Sequence, residues 1–185
     1  MNDHKIKSII SNYGVTLKRL TEDKIELVRR WRNDPKIQQY MEFREEITPE
    51  MQKAWFQRIN NDHNLYYIIE IDKKDVGLIN CKDIDEEYDS GEGGIFIWDD
   101  GYLNSDLSFR ATCLFYNYLF NDLGFKHLFG HVIDDNKRAL NFNKALGIQK
   151  RYNVPEGDNR TYIVTKDSYV NCKALKIINK IYKNQ

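Results

Sequence analysis

Few side chains in this sequence are spaced to do chemistry unaided. Cys81, Cys113 and Cys172 lie far apart, are odd in number and match no metal-ligand spacing, so they read as small core residues. His63, His127 and His131 stand next to no nucleophile and to no ligand set. What remains is a group of carboxylates, arginines and aromatics. Glu92, ahead of the apolar run from Gly94 to Trp98, is a carboxylate that can serve as a general base. Asp83 and Asp85 are its substitutes, and the bland alternative for Glu92 is a solvated strand end. Arg29, Arg30 and Arg32 can meet phosphates, with a solvated helix face as the account of at least one of them. Tyr40, Met41 and Trp55 can wall a cleft, whereas Trp31 reads as core.

These residues need a scaffold, and periodicity supplies one. Val15 to Leu20 alternates apolar and polar residues as a half-buried strand, and Thr21 stands where a helix cap belongs. Ile25, Leu27, Val28 and Trp31 then share one helical face, which Pro35 ends. Thr48-Pro49-Glu50 starts a second helix carrying Met51, Ala54, Trp55 and Ile59. Leu65 to Ile71 and Val76 to Ile84 form a hairpin about Asp72-Lys73-Lys74-Asp75, and Gly94 to Trp98 is a further strand. A helix from Leu107 to Leu123 stops at Gly124. After it come a strand from Phe125 to Ile133 and a helix from Asn136 to Leu146, stopped by Gly147. Ile148 to Tyr152 and Arg160 to Thr165 pair as late strands, and Tyr169 to Tyr182 is a Lys-rich helix. The order predicts a single-domain α/β fold, a mixed central sheet with helices on both faces. Residues 1–14 are left as an N-terminal extension, 15–168 form the domain, and the helix from 169 to 185 packs on it.

Composition narrows the partners. Twenty-eight Lys plus Arg balance 28 Asp plus Glu across 185 residues, so no net charge draws the chain to nucleic acid or acidic lipid. The lysines from Lys173 to Lys183 read as a solvated face. Met1-Asn2-Asp3-His4-Lys5 lacks a signal peptide's apolar run, and no stretch is apolar for long enough to span a bilayer, which predicts a cytoplasmic protein without a resident metal.

From Ile95 to Gly147 the strand, loop, long helix, strand and short helix resemble the GCN5-related N-acetyltransferases (GNAT). Asn136, Ala139, Leu146, Gly147 and Ile148 are similar to that family's signature around its last donor-side helix. Upstream, Leu27 to Pro35, Ile47-Thr48-Pro49-Glu50, Ala54-Trp55-Phe56 and Val76-Gly77-Leu78-Ile79-Asn80 resemble the branch that acetylates amino-sugar nucleotides for surface glycans. The ribosomal-protein N-terminal acetyltransferases are related to that branch.

The resemblance implies an acetyl-CoA donor and a small amine acceptor, with a homodimer left open. It places Glu92 as the base. The backbone amides of Phe96, Ile97 and Trp98 would polarise the thioester, and Asn136 would touch the donor's arm. The donor loop would be Asn104, Ser105, Asp106, Leu107 and Ser108, without the family's glycines, which let amides close on phosphate. Asp106 sets a carboxylate there, relieved if it caps the helix. Asn143 stands where many members have a Tyr that protonates the departing thiolate; Asn donates a hydrogen bond but no proton. The acceptor would meet Arg30, Tyr40, Met41, Trp55, Asn80 and Asp83, with an aromatic face for its base. The rival classes are a peptide or small-amine acetyltransferase and a binding protein that kept the fold but not the donor site.

Overall fold

The computed structural model describes residues 6–41, 43–87, 89–132, 136–152, 154 and 161–182. Strands β1 (Ile9–Asn12), β2 (Val15–Arg19), β3 (Leu65–Ile71), β4 (Lys74–Asp85), β5 (Ser90–Ile97), β6 (His127–Gly130), β7 (Gln149–Lys150) and β8 (Tyr162–Thr165) make one sheet. Its order is β1-β2-β3-β4-β5-β6-β8-β7. Neighbours are antiparallel except β5 and β6, which run parallel over Ser90 to Glu92. This is the expected mixed α/β sheet.

Alternation along the strands divides the core in two. Leu17, Tyr67, Ile69, Ile79, Cys81 and Ile97 face a helix layer made of α4 (Leu107–Asn117), α6 (Lys166–Val170) and α7 (Lys173–Tyr182). Tyr66, Ile68, Leu78, Phe96 and, just past β5, Trp98 face α1 (Ile25–Arg32) and α3 (Pro49–Ile59), packing with Val28 and Phe56. Each fully buried apolar side chain contributes about 1.5–3 kcal/mol. Phe142 and Ala145 of α5 (Lys137–Ala145) pack against the first cluster.

Several boundaries differ from the sequence reading for local reasons. Ile9 to Asn12, in the stretch read as an extension, pairs with β2 through a turn in which Tyr13 and Gly14 take positive φ of 55° and 66°. Thr21 turns its hydroxyl to Asp23 at 2.6 Å and leaves the helix start uncapped by side chain. Pro35 opens a short helix, α2 (Pro35–Gln38), whose cap Asp34 accepts from the Lys36 amide. The hairpin turn shrinks to Asp72 and Lys73, both at positive φ, the geometry that matches the twist of a tight hairpin. Strand β5 starts four residues before Gly94 and so includes Glu92. The long helix relaxes after Asn117 into a π-helical turn over Tyr118–Asp122. Helix α6 begins before Tyr169 with a capping box between Thr165 and Ser168.

Thr48, Asn136, Gly124 and Gly147 do what their types predict. Thr48 and Asn136 accept from the Met51 and Ala139 amides, and the two glycines end their helices at φ of 78° and 80°. Ile133 and Arg160, expected in strands, lie outside the described residues. Among the described residues no helix is long and apolar enough to cross a membrane, and no three His, Cys, Asp or Glu are grouped to hold a metal.

Candidate functional site

Strand β5 is held on both sides only as far as Glu92, because β6 pairs with Ser90, Gly91 and Glu92 and then diverges. From Gly93 to Ile97 the strand keeps β4 on one side and opens on the other. Trp98 donates its amide to the Val76 carbonyl at 3.0 Å. Alternation therefore turns the Phe96 amide toward β4 as well and those of Ile95 and Ile97 toward the open side. Of the three amides expected to polarise a carbonyl, Ile97's is the one that faces the opening. The Trp98 ring is not in the opening either: it is buried, stacked on Trp31 at 6.0 Å and donating Nε1–H to the Asp75 carbonyl.

The opening is part of a cleft of about 1560 Å³ that crosses the molecule. That exceeds the ~300–1,000 Å³ of an ordinary small-molecule pocket and leaves room for two substrates end to end. One end lies against α1, α2 and α3, the other between the loop after β5 and α5. Glu92 and Asn143 both line it.

At the first end β3, β4 and β5 set their side chains in register. Tyr66 stands opposite Asn80, Asn80 opposite Gly94, and Lys82 opposite Glu92. A Cβ on Gly94 would come within 2.9 Å of Asn80 Oδ1, so glycine there lets the Asn80 amide lie over the strand. Lys82 Nζ reaches Glu92 at 3.2 Å and Asp83 at 3.8 Å, so one ammonium engages both carboxylates. Asp83 itself adopts φ of 51° at the irregularity where β4 and β5 lose register. Tyr40, Met41 and Trp55 line this end, with the Tyr40 ring largely exposed.

The arginines sort differently from the expectation. Arg30 projects away from the cleft to Glu26, and Arg29 makes a two-bond pair with the same carboxylate, which holds Glu26 down to about 2. Arg32 lines the cleft, its guanidinium 5.5 Å from the Trp55 ring centroid. Burial pushes its ionisation below the ordinary arginine value.

At the other end Asn104, Ser105 and Ser108 line the cleft together with Asn136. Leu107 is fully buried in the core. Asp106 does not cap α4 with its side chain; it accepts from Arg110 Nε at 2.9 Å and from the Tyr182 hydroxyl at 2.8 Å. Its charge is thus spent on the body of the protein. Arg138, which the sequence reading passed over, enters the cleft from α5 and donates to the Leu103 carbonyl of the loop. Ser105 Oγ accepts the Leu107 amide at 3.2 Å, which orders the loop without glycine. Open-edge amides, a cationic side chain and hydroxyls along one groove fit the thioester arm and diphosphate of acetyl-CoA.

The family model described as an acetyltransferase (GNAT) domain matches residues 15–149. No curated protein matches by sequence. Among solved structures, the spermidine N-acetyltransferase from Vibrio cholerae in complex with CoA and spermine superposes with a TM-score of 0.74 at 18% identity, covering 86% of this chain and 100% of that one. A dodecameric form of the Vibrio cholerae enzyme gives 0.69 at 17% identity over 86% and 98%. A domain from Methanocaldococcus jannaschii gives 0.69 at 19% identity over 82% and 97%.

Proposed function

Because the chain belongs to the GNAT acetyltransferase family and is an acetyl-CoA-dependent N-acetyltransferase, we propose that its acceptor is the amine of an amino-sugar nucleotide. The observation that carries this reading is the charge of the acceptor end. Its carboxylates Glu92 and Asp83 are already engaged by Lys82, while Arg32 lies in the cleft beside the aromatic wall of Trp55. A polycation such as the spermine bound to the Vibrio cholerae enzyme would be repelled there. A phosphate-bearing acceptor with a planar base suits both the cation and the walls at Tyr40, Met41 and Trp55.

The residues divide the work as follows. Glu92, directly or through a water, removes the proton of the bound ammonium, and the free amine forms its N–C bond as the C–S bond breaks. The open-edge amide of Ile97 donates to the carbonyl oxygen as negative charge builds on it. Asn143 donates a hydrogen bond to the departing sulfur, and the thiolate takes, through water, the second proton, which the nitrogen gives up as it becomes an amide. Arg138 with Asn104, Ser105 and Ser108 receives the diphosphate of the donor, and Asn136 borders its arm. Holding amine and thioester in one cleft supplies the remaining rate through proximity.

The test is thiol release from acetyl-CoA with 3-amino and 4-amino sugar nucleotides, peptide N-termini and spermidine as acceptors. Turnover with the sugar nucleotides at least tenfold above the other two is expected. Preference for a peptide amine or spermidine overturns the acceptor assignment.

A further inference from the structure

We propose that Arg32, Tyr66 and Asn80 form a phosphate-binding subsite that fixes the acceptor by its anionic group, about one sugar ring away from Glu92. The inference rests on the acceptor reading above and sharpens it, because it states which atoms read the phosphate and how far from the amine it must lie.

The three residues come from separate elements, α1, β3 and β4, and all line the cleft. Tyr66 is 8% exposed, yet its hydroxyl has no hydrogen-bond partner among the described residues. Tyr66 lines the cleft, so a bound ligand can meet that hydroxyl. The Arg32 guanidinium is likewise without an ion pair or hydrogen bond among the described residues; it has the Trp55 face and the electrostatic influence of Tyr66. The Asn80 amide, lying over Gly94, is also without a protein partner among them. Arg110, by contrast, is 9% exposed and bonds to Asp106 and to the Tyr13 carbonyl. The acceptor end thus presents a five-donor cation, a hydroxyl and an amide to one cleft.

The groups also have an internal support. Trp55 packs edge-on against Tyr66 at 5.2 Å and lies beneath Arg32, so one indole positions both. Guanidinium donors over an aromatic face suit a tetrahedral oxyanion, which takes several hydrogen bonds at once.

Register then sets the spacing. Asn80 pairs with Gly94 and Lys82 with Glu92, so the subsite row and the base row are two residues apart on both strands. Two residues of strand span ~6.6–6.8 Å. That is the scale of a pyranose ring between a ring amine and the phosphate on the anomeric oxygen. A short amine without an anion would reach Glu92 and leave the subsite empty.

The experiment titrates inorganic pyrophosphate into the protein saturated with coenzyme A, so that the donor groove is occupied, and repeats it with Arg32→Met, Arg32→Lys and Tyr66→Phe. Acceptor and acetyl-CoA KM values are measured in parallel for every variant. Saturable pyrophosphate binding is expected, weakened at least tenfold in Arg32→Met, partly kept in Arg32→Lys and weakened severalfold in Tyr66→Phe. Acceptor KM should rise in step while the KM of acetyl-CoA stays within twofold. A thermal melt confirms that each variant folds, and Arg32→Lys keeps the test open if Arg32→Met does not. Absence of pyrophosphate binding in the wild type, or binding indifferent to all three substitutions, overturns the subsite. If pyrophosphate binds through Arg32 but no amino-sugar nucleotide is acetylated, the acceptor reading alone fails.

Discussion

Asp106 gives its carboxylate to Arg110 at 2.9 Å, and the Tyr182 hydroxyl holds the other oxygen. An acid in a donor loop would repel a diphosphate if it faced the groove. Here it is drawn to a nearly buried guanidinium, which in turn bonds to the Tyr13 carbonyl, and the C-terminal helix is tied to the donor loop in the same network. Replacing Asp106 with Ala should cost about 1–3 kcal/mol, because Arg110 is left without its charge partner. Coenzyme A affinity should change by no more than about twofold, since the carboxylate is not in the groove. Urea unfolding and calorimetric titration of coenzyme A measure the two effects; a tenfold gain in affinity would show that the acid faces the phosphates.

Glu92 is 3.2 Å from Lys82 and stands at the last residue of β5 that β6 still holds. That position fixes its backbone while the strand beyond it opens. Substitution by Gln keeps the shape and removes the base, so kcat should fall by about 10²- to 10⁴-fold and its dependence on pH should flatten. Rates measured across the pH range with saturating donor decide this, and an unchanged rate removes Glu92 from the mechanism.

The three cysteines should be silent. Cys81, Cys113 and Cys172 are all buried, and burial pushes each thiol up, Cys113 to about 12. A disulfide reagent at neutral pH should label none of them rapidly in the folded protein and all three in denaturant. Fast labelling of one native thiol would mean that its site opens easily, and loss of activity with it would place that thiol near the cleft.

How much of this was legible in the sequence depends on what kind of force placed each residue. Periodicity located the central strands and helices because burial is the force that places them. It missed β1, where Ile10 alone turns inward and Ile9 is exposed, so the strand is fixed by backbone pairing at a sheet edge. It started β5 late, because Asp89-Ser90-Gly91 carries turn residues; in the fold a Cβ on Gly91 would lie 2.5 Å from Cys81 Sγ, so that glycine marks close strand packing. Arg32 was within reach: it follows the fully buried Val28 by four residues and so shares its face, whereas Arg30 lies on the far side of the helix. Tyr66, Lys82 and Arg138 were not within reach, since strand register and the crossing of α5 over the loop are long-range facts.

Acid should weaken the ion pairs along α1. Glu26 is held down to about 2, first by the hydrogen bonds from Arg29 and then by its charge and that of Arg30, against an ordinary value of 4.5. A carboxylate depressed in the folded state adds stability that is whole above 4.5 and is lost as pH falls from there toward 2. The Tm advantage of the wild type over Glu26→Gln should therefore be present at neutral pH and shrink through that window. A constant difference would mean that the Arg29 pair contributes nothing through ionisation.

Gly124 and Gly147 both end helices with left-handed backbones, φ 78° and 80°, but their surroundings differ. Around Gly124 nothing lies within 4 Å of the place a Cβ would occupy, while at Gly147 the Ser168 carbonyl oxygen is 2.4 Å away. Alanine at Gly124 meets the backbone cost alone, about 1 kcal/mol. Alanine at Gly147 must also push α5 off the turn that begins α6, and it should cost at least about 3 kcal/mol. Urea midpoints of the two variants at constant m-value measure the gap. Since α5 carries Asn143 and Arg138, Gly147→Ala should also raise the KM of acetyl-CoA, and Gly124→Ala should leave it unchanged. Equal stability losses would show that the contact between Gly147 and Ser168 gives way without cost.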